Sequence, residues 1–320
     1  MKLLEFISQY PDEESCIKKL KEIKDAQAQV CPKCGCQSHY WKSDKLCYEC
    51  KHCHHRIGIR YGTVMENSKL PFRYWFIAIH LLTATKQSFS AMELQRQLGH
   101  KRYQPIWEML HKLRNVMGKR DSKYSLSDEM EVDEGFFSTE CPEEEKGKPL
   151  KAGAGSQKKS KVLVMAESQT IDSPKNIKKP KRVKHLKMCV IEDLKASTID
   201  KKMKENVDAK ASLVTDDSKS HTHFKDNFKE HKSQVVSPKD ICKILPWVHI
   251  AISNAKSVFT NIYHGIKKEF LQEYLNEFCY KFNRRYFGER LFDRLLMISA
   301  NYNTDFKHRI YNSNLSTENR

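Results

Sequence analysis

Four residues of this chain are of types and in places that suit chemistry on a phosphate ester. Asp133 lies in "EVDEGFF" and Asp216 in "LVTDDSKSH", two stretches with strand character. Carboxylates on neighbouring strands can share divalent metal, and two such ions about 4 Å apart clamp the attacking and leaving oxygens on phosphorus. Such a site takes a third ligand from a later helix, and "LPWVHIAISNAK" offers one. His249 stands 33 residues after Asp216 (249 − 216), where Val248, Ile252, Ala255 and Phe259 recur at helical spacing. His249 and Lys256, seven residues apart, leave that helix on one side and flank its apolar stripe. A histidine beside such a stripe is ordinarily an edge residue of a packed helix. The two aspartates, and the order of the elements, turn it into a candidate ligand.

A second group is chemically distinct. Six of the eleven cysteines fall between residues 31 and 53. Two C-x-x-C pairs, Cys31/Cys34 and Cys50/Cys53, are separated by 15 residues, the spacing of a tetrahedral zinc ribbon. Cys36 and Cys47 are then spare thiols, or Cys47 displaces Cys53. Closed four-cysteine sites are structural, and zinc would hold a module with little core of its own. The chain shows no export signal, so reduced thiols and metal fit better than disulfides.

The elements that must position these groups can be read in outline. Residues 1–27 form a helical lead-in and 28–62 the ribbon. Residues 68–119 read as three helices in helix-turn-helix cadence, with Arg102, Lys112 and Arg114 on and beside the last, where they would reach a DNA groove. From 128 to 300 strands and helices alternate, and 301–320 is a tail. "EMEVDEGFF", "SKVLVMAES", "LKMCVIED" and "ASLVTDD" are the strands, and "KASTIDKKMKENVD" is a helix before the last of them. The polar, lysine-rich stretches 141–159 and 173–187 read as linkers. A strand carrying Asp, two more strands, a helix and a strand ending in Asp is the order of an RNase-H-like sheet. The expected fold is therefore α/β: an RNase-H-like mixed sheet with flanking helices, preceded by a zinc ribbon and a helical segment.

Lys+Arg of 57 against Asp+Glu of 40 gives a formal charge of +17, which points to an acidic partner, above all nucleic acid. No stretch is long and apolar enough to span a bilayer, and a cytoplasmic location is expected, nucleoid-associated in a prokaryote or nuclear in a eukaryote. Arg284, Arg285 and Arg290 in "YKFNRRYFGER" are candidates for lining a DNA path.

These residues together resemble a prokaryotic insertion-sequence transposase of the zinc-ribbon DDE superfamily. The resemblance covers roughly 28–300 and rests on "CPKCG…YECKHCHHRIGIRYGTVMENSKLPFRYW", "VDEGFF", "LVTDDSKSH", "LPWVHIAISNAK" and "YHGIKKEFLQEYLNEFCYKFNRR". It implies Asp133 and Asp216 as the two carboxylates, His249 in place of the third acid, and Lys256 as the trailing lysine. Asp217 and Asn254 are the alternatives for the second and third positions. It further implies Mg²⁺ or Mn²⁺ as catalytic metal, cleavage and strand transfer on double-stranded DNA, and a homo-oligomer that joins two element ends. A catalytically inactive DNA-binding descendant and an RNase-H-like nuclease that cuts without joining are the competing readings. One departure stands out: after the first aspartate the family continues with a glycine pair and a basic turn, whereas "DEGFFSTECPEEEKGKP" has no glycine pair and carries an acidic run.

Overall fold

The computed structural model describes residues 1–27, 29–171, 181–234, 244–263 and 265–306. They divide into two compact units, one of residues up to Met117 together with those from Tyr286 on, the other Gly118–Arg285.

The first unit opens with α1 (Leu3–Gln9) and α2 (Glu13–Asp25). Asp12 caps α2 by accepting from the Ser15 amide at 2.8 Å, and acids follow in the first turn where the helix dipole favours them. A three-stranded antiparallel ribbon comes next, β1 (His39–Lys42), β2 (Cys47–Cys50) and β3 (Arg56–Gly58). Three helices follow: α3 (Phe72–Ala84), α4 (Ala91–Leu98) and α5 (Tyr103–Asp121). Ser90 caps α4, and Gly99 ends it at φ +62°, a left-handed conformation that glycine adopts without strain. The helices and the turn between α4 and α5 match the cadence read from the sequence, but the basic residues do not all point out. Arg114 is 1% exposed beside His111, and the Lys112 ammonium donates to the Glu66 carbonyl at 3.1 Å. These two serve the interior, and only Arg102 of the three stays exposed.

The second unit is a five-stranded sheet between two helical layers. Its strands are β4 (Glu129–Ser138), β5 (Lys159–Thr170), β6 (Lys181–Ile191), β7 (Ser212–Asp216) and β8 (Glu230–Gln234). Their order is β6-β5-β4-β7-β8; β6, β5 and β4 run antiparallel, and β4, β7 and β8 run parallel. This is the RNase-H-like arrangement. The connection from β6 to β7 carries α6 (Ala196–Asn206), and a short α7 (Phe224–Asn227) precedes β8. Leu163, Met165, Met130, Val132 and Leu213 meet Ile199, Met203 and Phe224 on one face. On the other, Phe137, Val162, Val164 and Ala166 meet α8 (Pro246–Ile262) and α9 (Leu271–Asn283), through Val248, Ile252, Ala255, Phe259 and Leu275 among others. The apolar stripe expected on the His249 helix is thus its packed face.

Three boundaries differ from the reading of the sequence. The second linker, 173–187, is in its latter part strand: β6 starts at Lys181, and the preceding residues 172–180 lie outside the described ones. Val183 and Leu186 are buried between basic neighbours, so a lysine-rich edge strand imitates a linker. β8, "EHKSQ", has no apolar residue to betray it and joins the sheet by backbone pairing with β7. Finally, residues from Tyr286 on, expected in the catalytic domain up to 300, belong with the N-terminal unit. There α10 (Leu291–Asn301) sets Phe292 against Phe6, Tyr10 and Phe76.

A buried carboxylate ties the sheet to the chain that leads into it. Glu167 on β5 accepts from the Tyr124 hydroxyl at 2.9 Å and from the Ser127 and Asp128 amides at 3.0 and 3.1 Å, beside His185 at 3.5 Å. Burial alone would raise its pKa, but His185, the two amides and Tyr124 outweigh burial and bring it from 4.5 down to about 2. A depressed acid stabilises the fold above its unfolded value and loses that contribution as pH falls from 4.5 toward 2. Glu167→Gln is expected to cost about 3 kcal/mol at neutral pH and to flatten this acid limb. Thermal unfolding in stepped buffers from pH 6 to about pH 2 measures both effects.

Candidate active site and metal centres

The acidic site grows out of strand register. β4 and β7 pair in parallel up to Val132 opposite Thr215, so the next residues, Asp133 and Asp216, come level on adjacent strands. A helix is brought to them by a third acid. α8 begins at Pro246 without a side-chain cap of its own. Glu131, two residues before Asp133 and on the same face of β4, accepts from the Trp247 and Val248 amides at 2.8 and 3.0 Å. It thereby satisfies free donors of the first turn and places negative charge at the positive end of the helix dipole. Burial pushes its carboxyl up to about 7. Gly135 completes the approach: a Cβ there would lie 3.0 Å from the Phe137 ring and 3.4 Å from Ile252 of α8. Gly135 thus serves close packing of β4 and α8.

With α8 docked, His249 Nδ1 comes 3.7 Å from Asp133 Oδ2. Asp133 Oδ1 accepts from the Glu134 amide at 2.7 Å, leaving Oδ2 toward the histidine. Burial, then the neighbouring charges of Glu134 and Asp216, push the Asp133 carboxyl up to about 6, the mark of an anion short of cations. Burial lowers the pKa of His249, which favours a neutral imidazole with a free lone pair. Asp133 and His249 thus meet as a pair, with Asp216 level on the adjoining strand; among the described residues only the four ribbon cysteines bring three or more metal-ligating atoms within 4.8 Å of one another. Lys256 is exposed on the same side of α8, its ammonium 5.8 Å from the Phe137 ring centre.

The alternatives fall elsewhere. Asp217 is exposed and accepts from the Ser233 hydroxyl of β8 at 2.8 Å. Asn254 is exposed, five residues on from His249 and so well round the helix from it. Arg284 pairs with Asp121 at 2.6 Å and stacks on Tyr280, while Arg285 donates to the Val183 carbonyl and stacks on Phe282. These arginines brace α9 against its own unit, whereas Arg290 is exposed.

Two partners of the site, His221 and Glu134, escape a reading of the sequence. His221, 1% exposed in its side chain, sits 3.1 Å by Nδ1 from Asp216 Oδ1 and 3.0 Å by Nε2 from Glu134 Oε1. The first contact lowers the pKa of Asp216; burial opposes a charge on His221, but Asp216 and Glu134 overcome burial and raise it to about 9. The available signal is a histidine five residues after a strand-end aspartate, with no spacing rule to single it out.

In the ribbon, the Sγ atoms of Cys31, Cys34, Cys50 and Cys53 all lie within 4.8 Å of one another, with Cys31–Cys53 and Cys34–Cys50 at 3.5 Å. Each C-x-x-C pair forms a knuckle closed by a left-handed residue, Gly35 at φ +73° and His54 at φ +56°. The Cys53 amide helps depress Cys50 to about 6. The Cys36 amide favours the Cys34 thiolate, but the thiols of Cys53, Cys50 and Cys31 prevail and push it up to about 12. Four sulfurs this close resist full ionisation unless a cation sits among them, and the cluster can hold a metal ion. Cys36 and Cys47 are not part of it.

An RNase-H-like sheet with acids level on neighbouring strands defines a class of phosphoryl-transfer domain. Residues 125–283 match the model of the ISXO2-like transposase domain family. Through this domain the chain is a DDE-superfamily transposase, an enzyme that cuts DNA and transfers the cut strands. Among solved structures it is similar to a pre-cleavage Mos1 transpososome, at 14% identity over 76% of this chain and 82% of that one, with a TM-score of 0.28. The Mos1 transposase paired-end complex with the left transposon end gives 13%, 74%, 82% and 0.30 for the same measures. Superpositions this loose say nothing further of the chain. Among curated proteins none matches it. Among the described residues no helix is long and apolar enough to cross a membrane.

Proposed function

We propose that Asp133, Asp216 and His249 hold the divalent metal of this transposase and that it cuts and joins the ends of its own DNA element. The observation that carries this reading is the meeting of His249 with Asp133, at 3.7 Å, beside the strand end that bears Asp216. When bound, Mg²⁺ or Mn²⁺ supplies activation of the attacking oxygen and stabilisation of the leaving 3′-oxygen. Asp133 supplies Oδ2 and His249 a neutral nitrogen, so the site carries one negative charge fewer than an all-acid one. Manganese, the softer ion, is therefore better tolerated than magnesium. Lys256 meets a backbone phosphate as a point charge. Water attacks first and the freed 3′-hydroxyl second, so no protein side chain becomes covalently bound to DNA. Zinc is the metal of the four-cysteine cluster, where it holds the ribbon together. Two element ends must be brought together, which calls for a homo-oligomer on double-stranded DNA.

The test is an assay of cleavage and strand transfer on DNA carrying the element's own ends, in Mg²⁺ and in Mn²⁺. Joined products are expected, with higher yield in Mn²⁺. Cleavage without joining would make the protein a nuclease, and end binding without either product would make it a DNA-binding descendant. Lys256→Ala is expected to weaken end binding about tenfold and to reduce the salt slope of binding by about one, read by mobility shift at stepped salt.

A further inference from the structure

We propose that His221 is a positioning residue that fixes the rotamer of Asp216, so that Asp216 offers one defined oxygen to the catalytic cation. The proposal rests on the reading of Asp216 as a metal ligand.

Three contacts make His221 a fixed post. Its ring stacks on Phe224 with centroids 5.0 Å apart and planes 24° from parallel. Phe224 is fully buried and packs among Met130, Leu213 and Ile199, so the ring cannot swing without opening that core. On one side, Nε2 meets Glu134 Oε1 at 3.0 Å, and the Ser220 hydroxyl donates to the same oxygen at 3.2 Å. The Glu134 carboxylate is thereby held from two directions. On the other side, Nδ1 stands 3.1 Å from Asp216 Oδ1.

Strand geometry separates the two acids that follow one another on β4. Asp133 shares its face with Glu131 and α8, whereas Glu134 faces the opposite layer and the turn that carries His221. Glu134 therefore anchors the histidine without competing for the cation. The Asp216 side chain is 37% exposed, so it keeps an open side while Oδ1 stands in ion-pair contact with Nδ1, outside hydrogen-bond geometry. A carboxylate at a strand end loses rotamer freedom when it binds metal, and one already held by its neighbour loses less. Removing such an outer partner typically costs 10–100-fold in metal affinity.

The test uses the full-length chain, with Mn²⁺ as the probe. It follows the Mn²⁺ dependence of end cleavage and Mn²⁺ binding by electron paramagnetic resonance. His221→Phe keeps a ring against Phe224 and removes both nitrogens. Half-saturating Mn²⁺ is expected to rise roughly 10–100-fold, while the rate at saturating Mn²⁺ changes by less than about threefold. Glu134→Leu is expected to move the same way, and Glu134→Gln, whose amide oxygen still accepts from Nε2, to recover most of that loss. A fall in Tm for His221→Phe with unchanged half-saturation would make the histidine a packing residue and overturn the proposal. Should His221→Phe fail to fold, the Glu134 pair decides: equal half-saturation in the Leu and Gln variants overturns it. Asp216→Asn runs alongside. If that variant cleaves with wild-type Mn²⁺ dependence, the ligand reading fails and the proposal falls with it; if Asp216→Asn is dead and the His221 and Glu134 variants are unaffected, the proposal alone falls.

Discussion

Asp133→Asn and Asp216→Asn are each expected to abolish cleavage and strand transfer while leaving the fold and DNA binding in place. Asp133 lies midway along β4 and Asp216 ends β7, both with side chains outside the two apolar clusters, so an isosteric amide disturbs little. What changes is the charge available to a cation. A bound metal contributes several kcal/mol of transition-state stabilisation, so losing it lowers the rate by about 10³-fold or more. The two variants should differ in one respect. The Asp133 carboxyl is raised to about 6 by burial and by the charges of Glu134 and Asp216. Neutralising it relieves that repulsion, so Asp133→Asn should raise thermal stability slightly above pH 6. Asp216 is instead stabilised as an anion by His221, so Asp216→Asn should lower it. Single-turnover cleavage and thermal unfolding at pH 8 separate the two effects.

The second large effect is expected in the ribbon. Cys50→Ser, or removal of metal by a chelator, should unfold the segment from residue 29 to about 62. The ribbon has short strands of four, four and three residues, too little to bury a core. Structural zinc contributes an apparent free energy of roughly 10–16 kcal/mol in small zinc modules, far more than such strands supply. Cys36→Ser and Cys47→Ser should keep the metal, because neither sulfur lies in the cluster. Metal content by mass spectrometry should read one zinc per chain in the wild type and in these two variants, and none in Cys50→Ser. Limited proteolysis should open the ribbon only in Cys50→Ser, while the Gly118–Arg285 unit stays intact.

The features legible in the sequence are those written as a pattern. Asp133 and Asp216 follow apolar strand residues, and the stripe of Val248, Ile252, Ala255 and Phe259 has helical period; all four stripe residues are buried. The two C-x-x-C pairs converge as their spacing suggests. What stays hidden lacks a period of its own. β8 and the basic first part of β6, from Lys181 to His185, are edge-strand segments rich in basic and polar residues, so they carry no clean apolar alternation. Arg114, Arg284 and Arg285 read as surface charge, yet each is engaged with the interior. Glu131 reaches the Trp247 amide across 116 residues of chain, and His221 reaches Glu134 across 87. No local window holds such pairs.

The most direct test of the metal-centre assignment is single-turnover cleavage of end DNA by His249→Ala beside His249→Glu, at equal DNA occupancy, in Mg²⁺ and Mn²⁺. If His249 binds the catalytic metal, His249→Ala loses about 10²-fold or more in rate. His249→Glu then keeps activity and shifts its preference toward Mg²⁺, because a carboxylate suits the harder ion. Wild-type rates in His249→Ala, with unchanged metal preference in His249→Glu, would leave the histidine an edge residue of α8 and contradict the account.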